Sequence, residues 1–293
     1  MVVSHGACRI IENPGDLDSW PRWTGFDRIP LAGSRMHGLQ LTPRKTVILM
    51  HGTAAEIEPG RGMTDRELMR IRVETLFTRN AAGRLLRVNK PQGNDAPRFF
   101  LGRTAEGSDC WFRVDVDDHL ARRLAAAAKV RRSGEDHRLA PEDPAAYVAL
   151  LERAAPIQRT KAGPAYCFPR ELAELADVVP VTDRNAEILR PHLEPWLDST
   201  AAGLLTMAVV EGGRAVAVCN SARITDVAHE AGVETAPGFR GRGHAARAVA
   251  AWAVAVRQAG AIPLYSTSWS NTASQAVARK LGLRMFGADL HII

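Results

Sequence analysis

Residues 233–245, VETAPGFRGRGHA, constrain this chain more than any other stretch. A strand-like run ends there, the chain turns through Pro237 and Gly238, and a glycine-spaced segment opens a helix. The first backbone N–H groups of a helix have no intrahelical partners, and the macrodipole adds partial positive charge at that end. Gly241 and Gly243 leave room for a phosphate or pyrophosphate to approach those N–H groups. The nearly all-apolar run that follows, up to Gly260, reads as the helix itself.

The elements around this segment alternate. VVPVT reads as a strand, DRNAEILRPHLEPWLD as a helix opened by Asp183, and LLTMAVVE and RAVAVCNSARIT as two strands joined at Gly212 and Gly213. HEAGVETAP adds a third strand to that meander. After the apolar helix come a strand IPLYSTSW, a helix NTASQAVARKLG ended by Gly282, and a last strand RMFGADLHII. This is α/β order with a mixed sheet.

Upstream, residues 1–45 read as an irregular arm rich in Pro, Gly and Trp. A first α/β domain is expected over 46–160: the strand TVILM, a helix behind the Thr64–Glu67 capping pattern, the short strands GRLLRVN, PRFFLGRT and CWFRVDV, and two Ala/Leu-rich helices, DDHLARRLAAAAKVR and PEDPAAYVALLERAA. Residues 161–173, beginning in QRTKAGP, read as a linker to a second domain over 174–293.

Composition excludes several classes. With 46% hydrophobic and 24% charged residues the chain is expected to fold as a globular protein. No apolar run reaches the roughly 18 to 20 residues of a membrane span; residues 245–256 come nearest and are broken by Arg247. The start, MVVSHGACRIIENPGD, lacks a secretory pattern, so a cytoplasmic location and no membrane partner are expected. Four cysteines stand singly, which argues against a metal site or a disulfide framework. The net charge of +6 suits an anionic cofactor, and its scattered arginines lack the clustered pattern of a nucleic-acid face.

The glycine-spaced segment resembles the acyl-CoA-binding motif of the GNAT N-acetyltransferase superfamily, Q/R-x-x-G-x-G/A, matched by Arg240, Gly243 and Ala245. The family places this motif after the fourth strand of its fold, as here. A second resemblance follows, where the family has a strand, an Asn and a helix ending in Leu-Gly-Phe: YSTSW, Asn271, Ser274 and Lys280-Leu281-Gly282-Leu283. Together they cover about the last 120 residues. The resemblance implies a GNAT acyl-CoA N-acyltransferase fold for 174–293, with the 46–160 segment either a degenerate GNAT-like half or an unrelated α/β domain.

The resemblance also implies acetyl-CoA as co-substrate. Val233, Glu234, Thr235 and Ala236 would line the pantetheine arm where two strands splay. Arg240, Gly241, Arg242, Gly243, His244 and Ala245 would hold the pyrophosphate, and Asn271 and Ser274 would contact pantetheine or adjacent CoA atoms. Many family members carry on the last helix a Tyr that protonates the departing thiolate; the aligned residue here is Ala278, so Ser268 or Tyr265 is the candidate acid. An attacking amine needs a free lone pair, and Glu234 is the first candidate base, on one strand face with Glu230. Cys219 and Ser221 on the adjacent strand, and His229 and His244, read as core, bystander or loop residues.

The expected function is therefore transfer of an acetyl group to a primary amine on a small molecule or peptide, without metal. The competing reading is a CoA-binding regulatory module without turnover. TVILMHG imitates the strand and His-Gly turn of α/β-hydrolases, yet no serine lies in G-x-S-x-G, and that reading is dropped.

Overall fold

The computed structural model describes residues 62–91, 93–130, 143–172 and 177–293. The expected arm at 1–45 and the strand at 46–50 lie outside the described residues. Strands β1 (Phe77–Arg79) and β2 (Leu85–Val88) form a small hairpin. A single nine-stranded mixed sheet takes all the others: β3 (Phe99–Thr104), β4 (Gly107–Phe112), β5 (Thr160–Cys167), β6 (Val178–Pro180), β7 (Thr206–Glu211), β8 (Arg214–Ile224), β9 (Ala228–Thr235), β10 (Ile262–Ser266) and β11 (Arg284–Ile292), in the order β4-β3-β11-β5-β10-β9-β8-β7-β6. The α/β class read from the sequence holds.

The expected linker at 161–173 needs correction. β5 lies in the middle of the sheet, antiparallel to β10 on one side and to β11 on the other. Gly163 and Pro164 made this run look like a break. In the fold the glycine answers a close approach: a Cβ on Gly163 would lie 1.7 Å from the Thr267 carbonyl oxygen. Pro164 still serves the ladder through its carbonyl, which accepts from Thr267 N at 3.2 Å. Strands from both parts of the chain thus share one sheet.

A second correction falls on 183–198. The expected helix is broken into two 3-10 turns, Ala186–Leu189 and Glu194–Trp196, before α4 (Leu197–Ala201). Pro191 and Pro195 remove helical N–H donors and clash with the preceding turn. Elsewhere the pattern serves well: Gly212 and Gly213 both take positive φ, +56° and +75°, in the two-residue β7–β8 turn.

Two layers cover the sheet. On one face α5 (His244–Gln258) sets Val249, Trp252, Ala253 and Val256 against Val209, Val216, Cys219, Ala231 and Val233, and α6 (Thr272–Lys280) closes the layer with Val277 and Ala278. On the other face α1 (Asp65–Leu76), capped by the expected Thr64–Glu67 box, packs Leu68, Met69, Val73 and Leu76 against Phe100, Ala165, Leu264 and Phe286. On the α5 face, at the other end of the sheet, α2 (Asp118–Val130) and α3 (Ala145–Leu151) cover Phe99 and Leu101 of β3 and Leu290 and Ile292 of β11.

Arg72 also points from α1 into the sheet, although it reads from the sequence as part of a polar helix face. Buried, it donates Nη1 to Asp289 Oδ2 at 2.5 Å and Nη2 to Ser266 Oγ at 2.9 Å, and its Nε lies 3.6 Å from Glu230 Oε1. Ser266 Oγ donates to Glu230 Oε1 at 2.6 Å, and His291 Nε2 lies 2.8 Å from Asp289 Oδ1. This cluster ties α1 to β9, β10 and β11.

Burial pushes the Glu230 carboxyl above its ordinary value. Burial pushes Asp289 the same way, but Arg72 and His291 outweigh it and hold Asp289 below the usual carboxylate range. His291 is lowered, burial outweighing the pull of Asp289.

Two outcomes follow from this packing. Gly163→Ala is expected to destabilise the protein by about 1–3 kcal/mol in urea unfolding, because backbone rather than a flexible side chain must move. A histidine with a lowered folded pKa contributes stability above its unfolded value, near 6.5, and that stability is lost as pH falls. Melting temperature should therefore drop between pH 7 and 5, and less so in His291→Gln.

Candidate functional site

β9 and β10 are parallel neighbours for only three pairs, Ile262↔Ala228, Pro263↔His229 and Leu264↔Glu230. Beyond Glu230 each strand follows its other neighbour. β9 stays in register with β8 as far as Thr235↔Ala217, and β10 stays with β5 as far as Ser266↔Ala165. Residues 231–235 and 265–266 therefore bound a wedge that opens in the C-terminal direction of both strands, the edge where ligands of α/β sheets bind.

The wide end meets the glycine-spaced loop. After Thr235 the chain makes a 3-10 turn over Pro237–Phe239, pinned by Ala236 N donating to Val216 O at 2.9 Å and by Arg240 Nε donating to Thr235 O at 3.2 Å. Gly241 and Gly243 take φ of +78° and +87°, values that L side chains rarely adopt. Gly243 is the N-cap of α5, and no side chain caps that end. The N–H groups of His244, Ala245 and Ala246 thus begin the helix without a side-chain acceptor, as an anion cradle requires.

Cations surround this cradle. A Cβ on Gly243 would stand 2.4 Å from Lys280 Nζ, so the exposed lysine at the end of α6 reaches across the loop. Arg242 stacks over the Phe239 ring with its Cζ 5.4 Å from the centroid. The His244 ring is buried and turned to Glu211, 3.3 Å away, which leaves its backbone as the part facing the loop.

The other expected residues lie on β9, on β10, on α6 and in the turn between β10 and α6. Val233 points into the α5 core. Thr235 is buried, and its Oγ1 has no hydrogen-bond partner among the described residues. Asn271 caps α6, its Oδ1 accepting from Ser274 N at 3.0 Å, and Ser274 Oγ lies 2.7 Å from the Tyr265 hydroxyl. Ser268 Oγ accepts from Asn271 N at 3.1 Å and lies 3.0 Å from Ser270 Oγ, so it helps to hold the turn into α6. Ala278, where the resembled family often has Tyr, is buried in the α5–α6 layer.

Glu230, Gly232 and Glu234 share the opposite face of β9. Trp196 Nε1 donates to Glu234 Oε2, so the 3-10 segment 194–196 fixes that carboxylate. Trp196 also lies over Gly232, where a Cβ would come within 3.6 Å of its Cη2 and 2.8 Å of Asn220 Oδ1. His229 and Ser221 form a separate pair on the α5 side, with Nδ1 2.9 Å from Oγ, and Ser221 Oγ accepts from Trp252 Nε1 at 3.0 Å. Burial lowers His229.

Sequence reasoning missed Arg72, Trp196, Ser266, Lys280 and Asp289. Lys280 was within reach, since it belongs to the quoted Lys-Leu-Gly-Leu run. Ser266 lies in the quoted YSTSW run, whereas Arg72, Trp196 and Asp289 belong to no motif and are joined to the wedge only by long-range packing. Among the described residues no group of three His, Cys, Asp or Glu is arranged to hold a metal, and no helix is long and apolar enough to cross a membrane.

The wedge, the uncapped glycine turn and the orphaned Thr235 hydroxyl fit a long ligand that carries a pyrophosphate at one end and amide groups along its length. Residues 201–287 match the model of the GNAT acetyltransferase family. No curated protein matches the chain.

Several solved structures are similar. One is a GNAT-family chain from Novosphingobium aromaticivorans, 20% identical over 46% of this chain, with a TM-score of 0.37; the match spans 65% of that chain. A GNAT-family acetyltransferase from Colwellia psychrerythraea is 15% identical, covering 69% and 82% of the two chains at a TM-score of 0.41. A GCN5-related N-acetyltransferase-like protein from Streptococcus suis is 17% identical, covering 78% and 99% at 0.40. The stretch that matches the GNAT acetyltransferase family model, 201–287, carries the parted strands, the glycine loop, α5 and α6.

Proposed function

We propose that the protein is an N-acetyltransferase that moves an acetyl group from acetyl-CoA to a primary amine of a small molecule or peptide by direct attack. The parting of β9 and β10 after Glu230 supports this most strongly, because it opens a slot for a pantetheine arm that ends at an uncapped helix start. The family match over 201–287 supports acyl transfer in general.

In this reading the loop 240–245 takes the pyrophosphate through backbone N–H groups, with Lys280 as an added cation. Val233, Glu234, Thr235 and Ala236 border the pantetheine, whose amides find the orphaned Thr235 hydroxyl, and Asn271 and Ser274 close the slot from α6. The thioester lies at the narrow end, near Glu230 and Ser266. The amine enters on the Trp196 side, where Glu234 takes its proton. Tyr265 and Ser268 lie along the opposite border, at the end of β10.

Two variants separate binding from chemistry. Gly243→Val forces a branched side chain into left-handed backbone against Lys280, and should weaken acetyl-CoA binding at least about tenfold, or 1.4 kcal/mol. Unchanged affinity would remove the loop from the site. Glu234→Gln should lower CoA thiol release with an accepted amine by roughly 100-fold while leaving acetyl-CoA affinity nearly unchanged. Acetyl-CoA binding without thiol release from any amine in a broad screen would favour the regulatory reading.

A further inference from the structure

The chain lacks the Tyr that the resembled family often places at Ala278, so the proton for the departing thiolate needs another source. The narrow end of the wedge offers one. Ser266 ends β10, and Glu230 is the last β9 residue paired with that strand. Their side chains meet there, Ser266 Oγ donating to Glu230 Oε1 at 2.6 Å, on the same face as Glu234.

We propose that Glu230, acting through the Ser266 hydroxyl, is the proton donor to the CoA thiolate, and that Arg72 is the positioning residue that holds the pair. The inference rests on the acetyltransferase reading above. It divides two carboxylates of one strand face between two roles: Glu234, beside Trp196, receives the amine's proton, and Glu230, sealed under α1, supplies one.

Charge balance in the buried cluster carries the assignment. Arg72 faces two carboxylates. Asp289 is the nearer, at 2.5 Å, and is fixed as the counter-ion, whereas Glu230 lies 3.6 Å from the guanidinium. Two ionised carboxylates against the one guanidinium that contacts them are costly in a dry interior, which favours a proton on one of them. Glu230 Oε2 has no hydrogen-bond partner among the described residues, so it lacks the donors that would stabilise an ionised carboxylate, whereas Asp289 has Arg72 on one oxygen and His291 on the other; Glu230 is therefore the member assigned the proton. The charged and titratable groups around it are Arg72 from α1, Asp289 and His291 from β11, and Arg223 from β8. Burial raises Glu230 and outweighs Arg72.

The step balances without a further reactant. The amine nitrogen bonds to the thioester carbon and the C–S bond breaks, with its electron pair going to sulfur. For the transfer the bond at 2.6 Å reverses: the protonated Glu230 donates to Ser266 Oγ, whose own proton turns to the sulfur and passes to it as the Glu230 proton takes its place. Glu230 is left as carboxylate and regains a proton equivalent to the one that the amine releases. The products are the amide and CoA thiol. Arg72 Nη2, donating to Ser266 Oγ, keeps that oxygen between Glu230 and the wedge throughout.

Hydroxylamine is the probe, because it is an unprotonated nucleophile at neutral pH and leaves the donor's titration exposed. With acetyl-CoA and the full chain, acetohydroxamate and free thiol should form at a rate that falls on the alkaline side as Glu230 loses its proton. Ser266→Ala and Glu230→Gln should each lower kcat at least about tenfold with acetyl-CoA affinity within about twofold, and Glu230→Gln should abolish the alkaline limb. Arg72→Met should move that limb to higher pH, since it removes a cation that favours the carboxylate. A purely structural role would lower the rate at every pH alike. If Arg72→Met does not fold, the first two variants, which leave the Arg72–Asp289 pair intact, decide the matter.

Wild-type kcat and an unmoved alkaline limb in folded Ser266→Ala and Glu230→Gln overturn the proposal. So does a wild-type protein that binds acetyl-CoA and forms no acetohydroxamate, an outcome that leaves donor binding standing. Failure of the wild type to bind acetyl-CoA overturns the acetyltransferase reading itself.

Discussion

The parallel ladder between β9 and β10 stops after Leu264↔Glu230, and the rest of the site depends on that interruption. Two parallel strands in one sheet would ordinarily continue to pair, because unpaired buried backbone groups are costly. Here each strand keeps an attachment on its far side. β8 follows β9 to Thr235 and β5 follows β10 to Ser266, while the pairing between β9 and β10 ends. The slot is a product of the sheet's register, and the groups freed along it are available to a ligand that has amides of its own.

Three supports hold the slot from outside. The α5 layer, with Trp252 and Val249 on Ala231 and Val233, fixes the β9 side and presents the helix start at the wide end. β5 fixes the β10 side, and only a glycine at 163 lets it pass the Thr267–Ser268 backbone. At the narrow end Arg72 joins α1 to Glu230, Ser266 and Asp289. The upstream part of the chain is therefore built into the site: it provides a sheet strand on one side and a buried cation beneath it.

How much of this was legible in the sequence follows from the range of the forces involved. Residues 240–245 were readable because a tight turn, two left-handed glycines and an open helix start are local requirements satisfied within six residues. The β7–β8 turn at Gly212 and Gly213 and the Thr64 capping box were readable for the same reason. β5 was not, since its lack of alternation and its Gly163-Pro164 pair make sense only against β10, about a hundred residues later in the chain. Arg72 looks like one more arginine on the polar side of a short helix until Asp289, 217 residues away, meets it. The helix expected over 183–198 failed because its apolar spacing outweighed Pro191 and Pro195 in the reading, whereas in the fold the prolines prevail and turn the segment so that Trp196 reaches Glu234.

The most direct test of the account is isothermal titration of the full chain with acetyl-CoA, since it examines the wedge and the loop together and needs no acceptor. One site of micromolar affinity, near −8 kcal/mol, is the expected result. No heat and no shift in melting temperature at millimolar acetyl-CoA would mean that the parted strands serve some other ligand, and would contradict the reading at its centre.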